Sequence, residues 1–505
     1  MTVGASLCPP MGPARLARPD HGRDRDPVVL IVGGGYSGAA LAIRLLEKRR
    51  EPLRIVVAEP RTSLGCGQAY STPEPAQLMN GPAGNFSIHP HELTHLARWV
   101  EKNAAGGLPL PPEGADNLFI PRSLFGQYVR QTLQTAIYKA PSAVSLEHWQ
   151  STVLRIERNC VGSGVIARFA DGCSLNADLV VLATGVFPPA SDPALAPLSG
   201  DVRLTTPWES DKLDHLSRAK DILIVGASLS MVDTIASLEG RGFSGRYHVI
   251  SRRGHLIETV RPVEAPVEIV DPDALPTTAR ELLSLVIKAR KKLLAEGRDW
   301  QVLPFSLRPF ILPLWQGATT QERLRFTRRL RSLWDVTAHR AAPPSYAAVK
   351  SAMEDGRFTA RAARLVSAAA RDGRIEVALR PRGKMETETI LVGGIVDARG
   401  HQEHDWAKIK STLVQNLLKD GLVRRHDTGF GIDATADLAV IDRRGVPHGD
   451  IFAIGHPLRG VAWESSSLTE LRFQAEVLAE KLCGALESMR LPNAPGNPAD
   501  SSAVF

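Results

Sequence analysis

The sequence predicts an α/β protein made of two copies of one unit, a buried strand, a glycine turn and a helix, with a helical segment inserted in the second copy. Three observations carry this. VVLIVGGGYSGAALAIRLLEK begins at Val28, DILIVGASLSMVDTIASLEG begins at Asp221 on the same plan, and residues 274–340 read as basic, apolar-periodic helix. A strand–turn–helix unit that recurs argues for two Rossmann-like, dinucleotide-binding domains in one chain. A length of 505 residues is ample for both.

In chain order, residues 1–26 mix Pro, Arg, Asp and Gly without the apolar core of a secretory signal, and are expected to be a disordered lead-in. Residues 27–205 form the first part of the first domain. In its turn, Gly33 allows the tight bend, Gly35 lets the backbone approach a pyrophosphate, and Gly38 lets the helix lie close to its strand. Helix-terminal N–H groups then face the phosphates. The next strand, RIVVAEP, ends in Glu59, 21 residues after Gly38, near the spacing of about 20 at which a carboxylate meets a ribose hydroxyl. Residues 151–186 alternate in short strands separated by Gly/Asp turns, an antiparallel meander returning to the first sheet. It ends in Ala183-Thr184-Gly185, after which Pro188 and Pro189 mark a domain exit.

Residues 206–390 form the second domain, with the helical insertion at 274–340. Gly226 keeps the first glycine of the turn, while Ser228 and Ser230 stand where the second and third would be, so hydroxyls are expected to meet part of the phosphate. A strand–helix unit with no ligand reads the same way. The next strand favours a ligand: YHVIS leads into Arg252 and Arg253, where an NAD-binding domain would place an acid. An arginine there accommodates a ribose 2′-phosphate, so NADPH is preferred to NADH. Residues 391–490 return to the first domain, with IFAIGHPLRG leading into the helix LTELRFQAEVLAEKLCGAL, and 491–505 form a loose tail.

Composition narrows the class. Hydrophobic residues make up 43% and charged residues 23%, and no apolar run is long enough to span a membrane. The net charge of +7 is gathered largely in one helical stretch, which reads as a solvated face rather than a nucleic-acid surface. Cys8, Cys66, Cys160, Cys173 and Cys483 show no metal-ligand spacing and no disulfide framework, which suits a soluble protein of the cytoplasm.

Together, Gly33–Gly38, Glu59, the ATG exit, Gly226 and the late Gly455 before a final helix resemble the flavoproteins with two dinucleotide-binding domains, the glutathione-reductase-like fold. More closely, the chain resembles a bacterial group of FAD/NAD(P)-binding proteins that includes flavin N-monooxygenases converting aspartate to nitrosuccinate. The matching segments are GGGYSG, LGCGQAY…LMNGPAGNFS, FIPRSLFGQY, GASLSMVD, ISRRG, DVTAHRAAP and PLRGVAWESSSLTELRFQA, spread over nearly the whole chain. The resemblance implies that Gly33, Gly35, Gly38 and Glu59 hold the ADP part of FAD, that Gly67 and Asn80 lie along its ribitol and ring, and that Gly455 sits at the flavin end. A Gly-Asp pair usual in the wider fold is replaced here by Gly455-His456.

Other polar residues have plainer readings. Cys66 stands alone, so the redox cysteine pair of a disulfide reductase is missing, and Cys66 reads as a small packing residue. His89, His91 and His95 cluster in SIHPHELTH, but no carboxylate or cysteine completes a site in the sequence, and no metal is expected. His339, Arg340 and Glu464 read as solvated or salt-bridged. Arg459 is the best candidate for a substrate contact, because its loop should border the flavin and a guanidinium binds a carboxylate bidentately.

The activity that the resemblance implies is an NADPH-dependent FAD monooxygenase that N-hydroxylates a small amine or amino acid with dioxygen, through a flavin C4a-hydroperoxide. The Baeyer–Villiger fingerprint FxGxxxHxxxW is absent. Two alternatives stay open: a reductase of the same fold with an acceptor other than oxygen, and a non-catalytic flavin-binding protein.

Overall fold

The computed structural model describes residues 25–103, 110–159, 164–189, 192–401 and 405–490. Nearly all of the expected disordered lead-in, and the 491–505 tail, lie outside these residues. The first unit opens with β1 (Val28–Val32), α1 (Tyr36–Lys48) and β2 (Leu53–Ala58), followed by α2 (His95–Asn103), α3 (Arg122–Lys139) and β3 (Val144–Trp149). An antiparallel trio, β4 (Val153–Arg158), β5 (Val165–Phe169) and β6 (Ser174–Ala177), leads to β7 (Leu179–Leu182). Strand β1 is VVLIV, buried throughout, because it lies parallel between β2 and β7 in the middle of the sheet. Helix α1 is buried from Tyr36 to Leu46. Its small residues, Gly38, Ala39, Ala40 and Ala42, let it sit tightly against the sheet, with α3 alongside.

The second unit contains β8 (Leu204–Thr205), α4 (Ser210–Leu216), β9 (Asp221–Val225), α5 (Leu229–Glu239) and β10 (Arg246–Ser251). The insertion then runs through α6 (Ala279–Ala295), α7 (Val302–Leu307), α8 (Ile311–Gly317), α9 (Thr320–Arg329) and α10 (Arg331–Ala338). After α11 (Pro343–Glu354) come β11 (Phe358–Arg371), β12 (Arg374–Pro381), β13 (Glu388–Val392) and β14 (Gly394–Asp397). The chain returns to the first unit with α12 (Thr412–Asp420), β15 (Ala439–Ile441), β16 (Pro447–Ala453) and α13 (Leu468–Arg490), which packs on α1. The sheets have strand orders β15-β16-β7-β1-β2-β3 and β13-β12-β11-β10-β9-β14-β8. In each, the strand before the glycine turn has the next strand on one side and a later strand on the other. Ligands of open α/β sheets bind at that kind of switch point, beyond the carboxyl ends of the strands.

The division into units differs from the sequence reading at two places. Strands β8 and β14, placed by sequence in the first domain, pair in the second sheet. Leu195 and Leu198 join the core of that sheet with Ile395, so the crossing falls at the Pro188-Pro189 exit and the return falls after β14. The insertion is helical as expected. Helix α6 starts in a Thr278/Glu281 capping box. Trp315 of α8 packs with Phe430 and Trp463 of the returning segment, which ties the insertion to the first unit.

Two buried ionic contacts join the units. Arg122, at the start of α3, meets Asp233 of α5 at 2.8 Å. Arg241 binds both oxygens of Glu74 at 2.6 Å each. The resemblance segments FIPRSLFGQY and GASLSMVD are therefore partners. Burial pushes the Asp233 carboxyl up, and Arg122 opposes that rise. Removing one partner of a buried pair leaves an uncompensated charge, so Arg122→Ala should destabilise by about 3–5 kcal/mol. An upshifted carboxyl binds its proton more tightly when folded, so protonation favours the folded state. The Arg122→Ala deficit should therefore shrink as pH falls through the folded pKa of Asp233, measured by denaturant unfolding across a pH series. A deficit that stays constant with pH would contradict this account of the pair.

Candidate functional site

The first turn is held by close approaches that exclude side chains. A Cβ on Gly33, whose φ is +110°, would lie 2.3 Å from the Ala183 carbonyl oxygen, and one on Gly38 would lie 2.0 Å from that of Gly33. Gly35 is different. The nearest atom to a Cβ there is the Gly67 Cα at 3.5 Å, so the chain's own packing does not require a glycine. The two glycines face each other across the start of α1, a cradle that a side chain would fill.

Glu59, 4% exposed, directly follows β2 beside this cradle. Its carboxylate accepts from the Gly34 N–H at 3.0 Å and the Arg61 N–H at 3.1 Å. Gly455, at φ +82°, follows β16, and a Cβ there would meet Ser37 Oγ at 2.8 Å, so its loop lies against the first turn of α1. Thr184 Oγ1, Trp463 Nε1 and Ser465 Oγ are buried with no hydrogen-bond partner among the described residues. A glycine cradle at a helix N-terminus, an acid at the ribose position and the orphaned Thr184 hydroxyl beside Gly33 fit a dinucleotide such as FAD. Asn80 lies half-buried in the 65–87 loop, which the Met79 N–H ties to the Ile120 carbonyl; among the described residues no hydrogen bond links its side chain to the cradle.

The second turn repeats the first. Gly226, at φ +125°, would place a Cβ 2.5 Å from the Ala398 carbonyl oxygen, the counterpart of Ala183. Both helices begin three residues after the leading glycine, at Tyr36 and at Leu229. The match is therefore Gly33, Gly35 and Gly38 with Gly226, Ser228 and Met231. This corrects the assignment of Ser230 to the third-glycine position: Ser230 matches Ser37. Ser228 precedes α5 without capping it through its side chain, so its hydroxyl stays available.

From this turn a cleft of about 1660 Å³ runs past Arg252 and Arg253 to His456 and Arg459 on the Gly455 loop. Arg252 is exposed. Arg253 donates to the carbonyls of Arg328 and Arg329 at 2.6 Å each, fastening the C-terminal end of α9. Arg459 is buried, with its guanidinium 4.5 Å from the Trp463 ring centroid and 3.7 Å from Asp335 Oδ1. Of the other polar candidates, His339 lines the cleft. Arg340 is bound to Gln301, and Glu464 accepts from Trp334 Nε1. The sequence reading missed Asp335 and the Arg399–His401 wall. A signal for the wall existed, since GIVDARG ends the second unit as VVLATG ends the meander.

Cys66 is a packing residue as read, buried with its thiol pointed at the Gly126 carbonyl, and burial pushes its pKa up. At the histidine cluster the expectation that no carboxylate completes a site is corrected: Glu92, within SIHPHELTH itself, joins His89 and His95, with ligand atoms within 4.8 Å of one another. Arg44 lies 2.6 Å from His89 Nδ1, and Arg98 binds Glu92. Burial, with Arg44 beside it, pushes His89 down to about 4. These guanidiniums occupy the groups a cation would need.

Comparisons with known proteins agree with this geometry. Residues 30–187, which hold the first turn, match the model of the FAD-NAD(P)-binding family. No curated protein matches the chain in sequence. Among solved structures, the ornithine N-hydroxylase of Kutzneria sp. 744, with reduced FAD, NADP⁺ and L-ornithine, is similar at a TM-score of 0.60 and 16% identity, covering 92% of this chain and 100% of that one. The L-lysine 6-monooxygenase of Pseudomonas syringae gives 0.59 and 16%, over 92% and 100% of the two chains. The cadaverine monooxygenase of Erwinia amylovora gives 0.59 and 14%, over 91% and 94%. The chain thus has the two-dinucleotide-domain fold of flavin monooxygenases. Among the described residues, no helix is long and apolar enough to cross a membrane.

The cradle makes a direct prediction. Gly35→Val should leave a folded protein, because no chain atom approaches closely, yet the purified variant should lose its yellow flavin. Full flavin content in that variant would contradict the assignment of the first turn.

Proposed function

We propose that the protein is an FAD-dependent, NADPH-using monooxygenase that N-hydroxylates a small amine or amino acid. One observation carries the reading. The cleft from the second turn ends at the Gly455–Arg459 loop, and that loop lies against the first turn through Gly455 and Ser37. A dinucleotide seated on Gly226 and Ser228 extends toward the flavin end of the first site, which is the arrangement hydride transfer requires. When bound, FAD supplies the hydride acceptance and the oxygen activation.

The chain's own residues do the rest. Gly35 and Gly67 admit the pyrophosphate of FAD, Glu59 meets its ribose, and Asn80 lies along the ring side. Arg252, at the end of β10, meets the 2′-phosphate that separates NADPH from NADH. Trp315, Phe326, Phe430 and Trp463 form a packed wall between insertion and loop that keeps water from the flavin end. Arg459, steadied by Trp463 and Asp335, orients a substrate carboxylate. The neighbours named above are an ornithine N-hydroxylase, an L-lysine 6-monooxygenase and a cadaverine monooxygenase, which supports a small amine and dioxygen as the reactants. The setting proposed is the cytoplasm.

The test is mass spectrometry of products formed under labelled dioxygen with NADPH and a panel of small amines and amino acids headed by aspartate. One labelled oxygen on the substrate nitrogen is expected. Arg459→Ala should weaken binding of the accepted amino acid about tenfold or more, the scale of a lost charge-assisted pair. Unlabelled products, together with efficient reduction of an added quinone, would favour the reductase with a different acceptor.

A further inference from the structure

The cleft at the second turn carries far more positive charge than its own acids balance. Ten Lys and Arg side chains line it against two carboxylates, Asp192 and Asp335. Both carboxylates are committed: Asp192 pairs with Arg399, and Asp335 with Arg331 and Arg459. The surplus lies at the far end, beside Arg252. There β11 and β12 are antiparallel, and their register sets Arg364 directly opposite Arg380. Both line the cleft, and neither has an ion-pair partner among the described residues.

Like charges directly opposed across a strand pair are destabilising by themselves. Arg361, three residues earlier on β11, is by contrast ion-paired with Glu388 of β13. The pairing of β10 with β11, Ser251 beside Ala362, brings the chain after Ser251, with Arg252, abreast of Ala363 and Arg364. Three guanidiniums from three strand segments thus border one end of a cleft whose other end is the Gly455 loop.

We propose that Arg364 and Arg380 form, with Arg252, the receptor for the 2′-phosphate of the dinucleotide, so that coenzyme choice is set by the β11–β12 pair as well as by the end of β10. A dianionic phosphate is the ligand whose charge offsets two facing guanidiniums, and arginine forks match its oxygens bidentately. A ribose hydroxyl offers no charge to offset. This inference rests on the dinucleotide reading of the second turn, and it adds specificity residues which that reading did not contain.

The test is calorimetric binding of adenosine 2′,5′-bisphosphate, 5′-AMP and inorganic phosphate to the flavin-loaded full chain and to Arg364→Gln, Arg380→Gln and the double variant. The bisphosphate should bind the wild type more tightly than 5′-AMP does. Each single variant should weaken the bisphosphate about tenfold or more, the scale of a lost charge-assisted hydrogen bond, and leave 5′-AMP nearly unchanged. Either single variant should melt no lower than wild type in the absence of ligand, since it relieves a repulsion; this separates loss of a phosphate contact from loss of structure. Wild-type bisphosphate affinity in the double variant would overturn the proposal while leaving the dinucleotide reading in place. Equal weakening of 5′-AMP, or inorganic phosphate competing as well as the bisphosphate does, would also overturn it. A wild type that binds neither nucleotide would overturn both the proposal and the reading beneath it.

Discussion

In each half of the molecule the turn after the central strand passes so close to the end of a neighbouring strand that a side chain has no room. A Cβ would sit 2.3 Å from the Ala183 carbonyl oxygen at Gly33 and 2.5 Å from that of Ala398 at Gly226. Because the backbone approaches so closely, the helix after each turn starts at the carboxyl end of the sheet, with its first N–H groups turned to the switch point. The first turn adds a second contact, Gly38 against Gly33, which brings α1 down on β1 and accounts for its burial over most of its length. Glu59, the Gly455 loop and the Gly35–Gly67 cradle all take their places from these approaches.

The two turns differ in ways that suit different ligands. The first is closed in by aromatic neighbours, with Tyr36 packed against Phe125 and Tyr70, and by the loop carrying Gly67. Such a site suits a resident cofactor. The second opens on a large cleft whose wall is basic, a form that suits a coenzyme that enters and leaves with each turnover. The insertion belongs to both: Trp315 packs with Phe430 and Trp463, while Asp335 of α10 faces Arg459. It therefore closes the region where the two ligands would meet.

Much of this was legible in the sequence, for physical reasons that can be named. VVLIV and DILIV read as central strands because they are apolar on both faces, and Glu59 could be placed because the turn, helix and strand before it have nearly fixed lengths. The longest strand, FTARAARLVSAAAR, was not legible: Ala and Arg favour helix, and it is a strand only because β10 and β12 flank it. For the same reason the facing of Arg364 and Arg380 could not be read, since it depends on register. Ser230 was misaligned because glycines were counted without a fixed helix start. Asp335 could not be read because its partner Arg459 lies on a distant segment, whereas Glu92 stands between His89 and His95 in SIHPHELTH and was legible. The return strand GIVD was assigned to the wrong sheet, although its ARG exit copies the earlier ATG.

The central claim is that the two turns hold two dinucleotides arranged for hydride transfer. It is tested most directly by mixing the purified yellow protein with NADPH in the absence of oxygen and following the visible absorbance of the flavin. The account predicts stoichiometric bleaching, faster with NADPH than with NADH, and recovery of the absorbance when oxygen is admitted. A flavin that stays oxidised with either coenzyme, while both nucleotides remain bound, would contradict it.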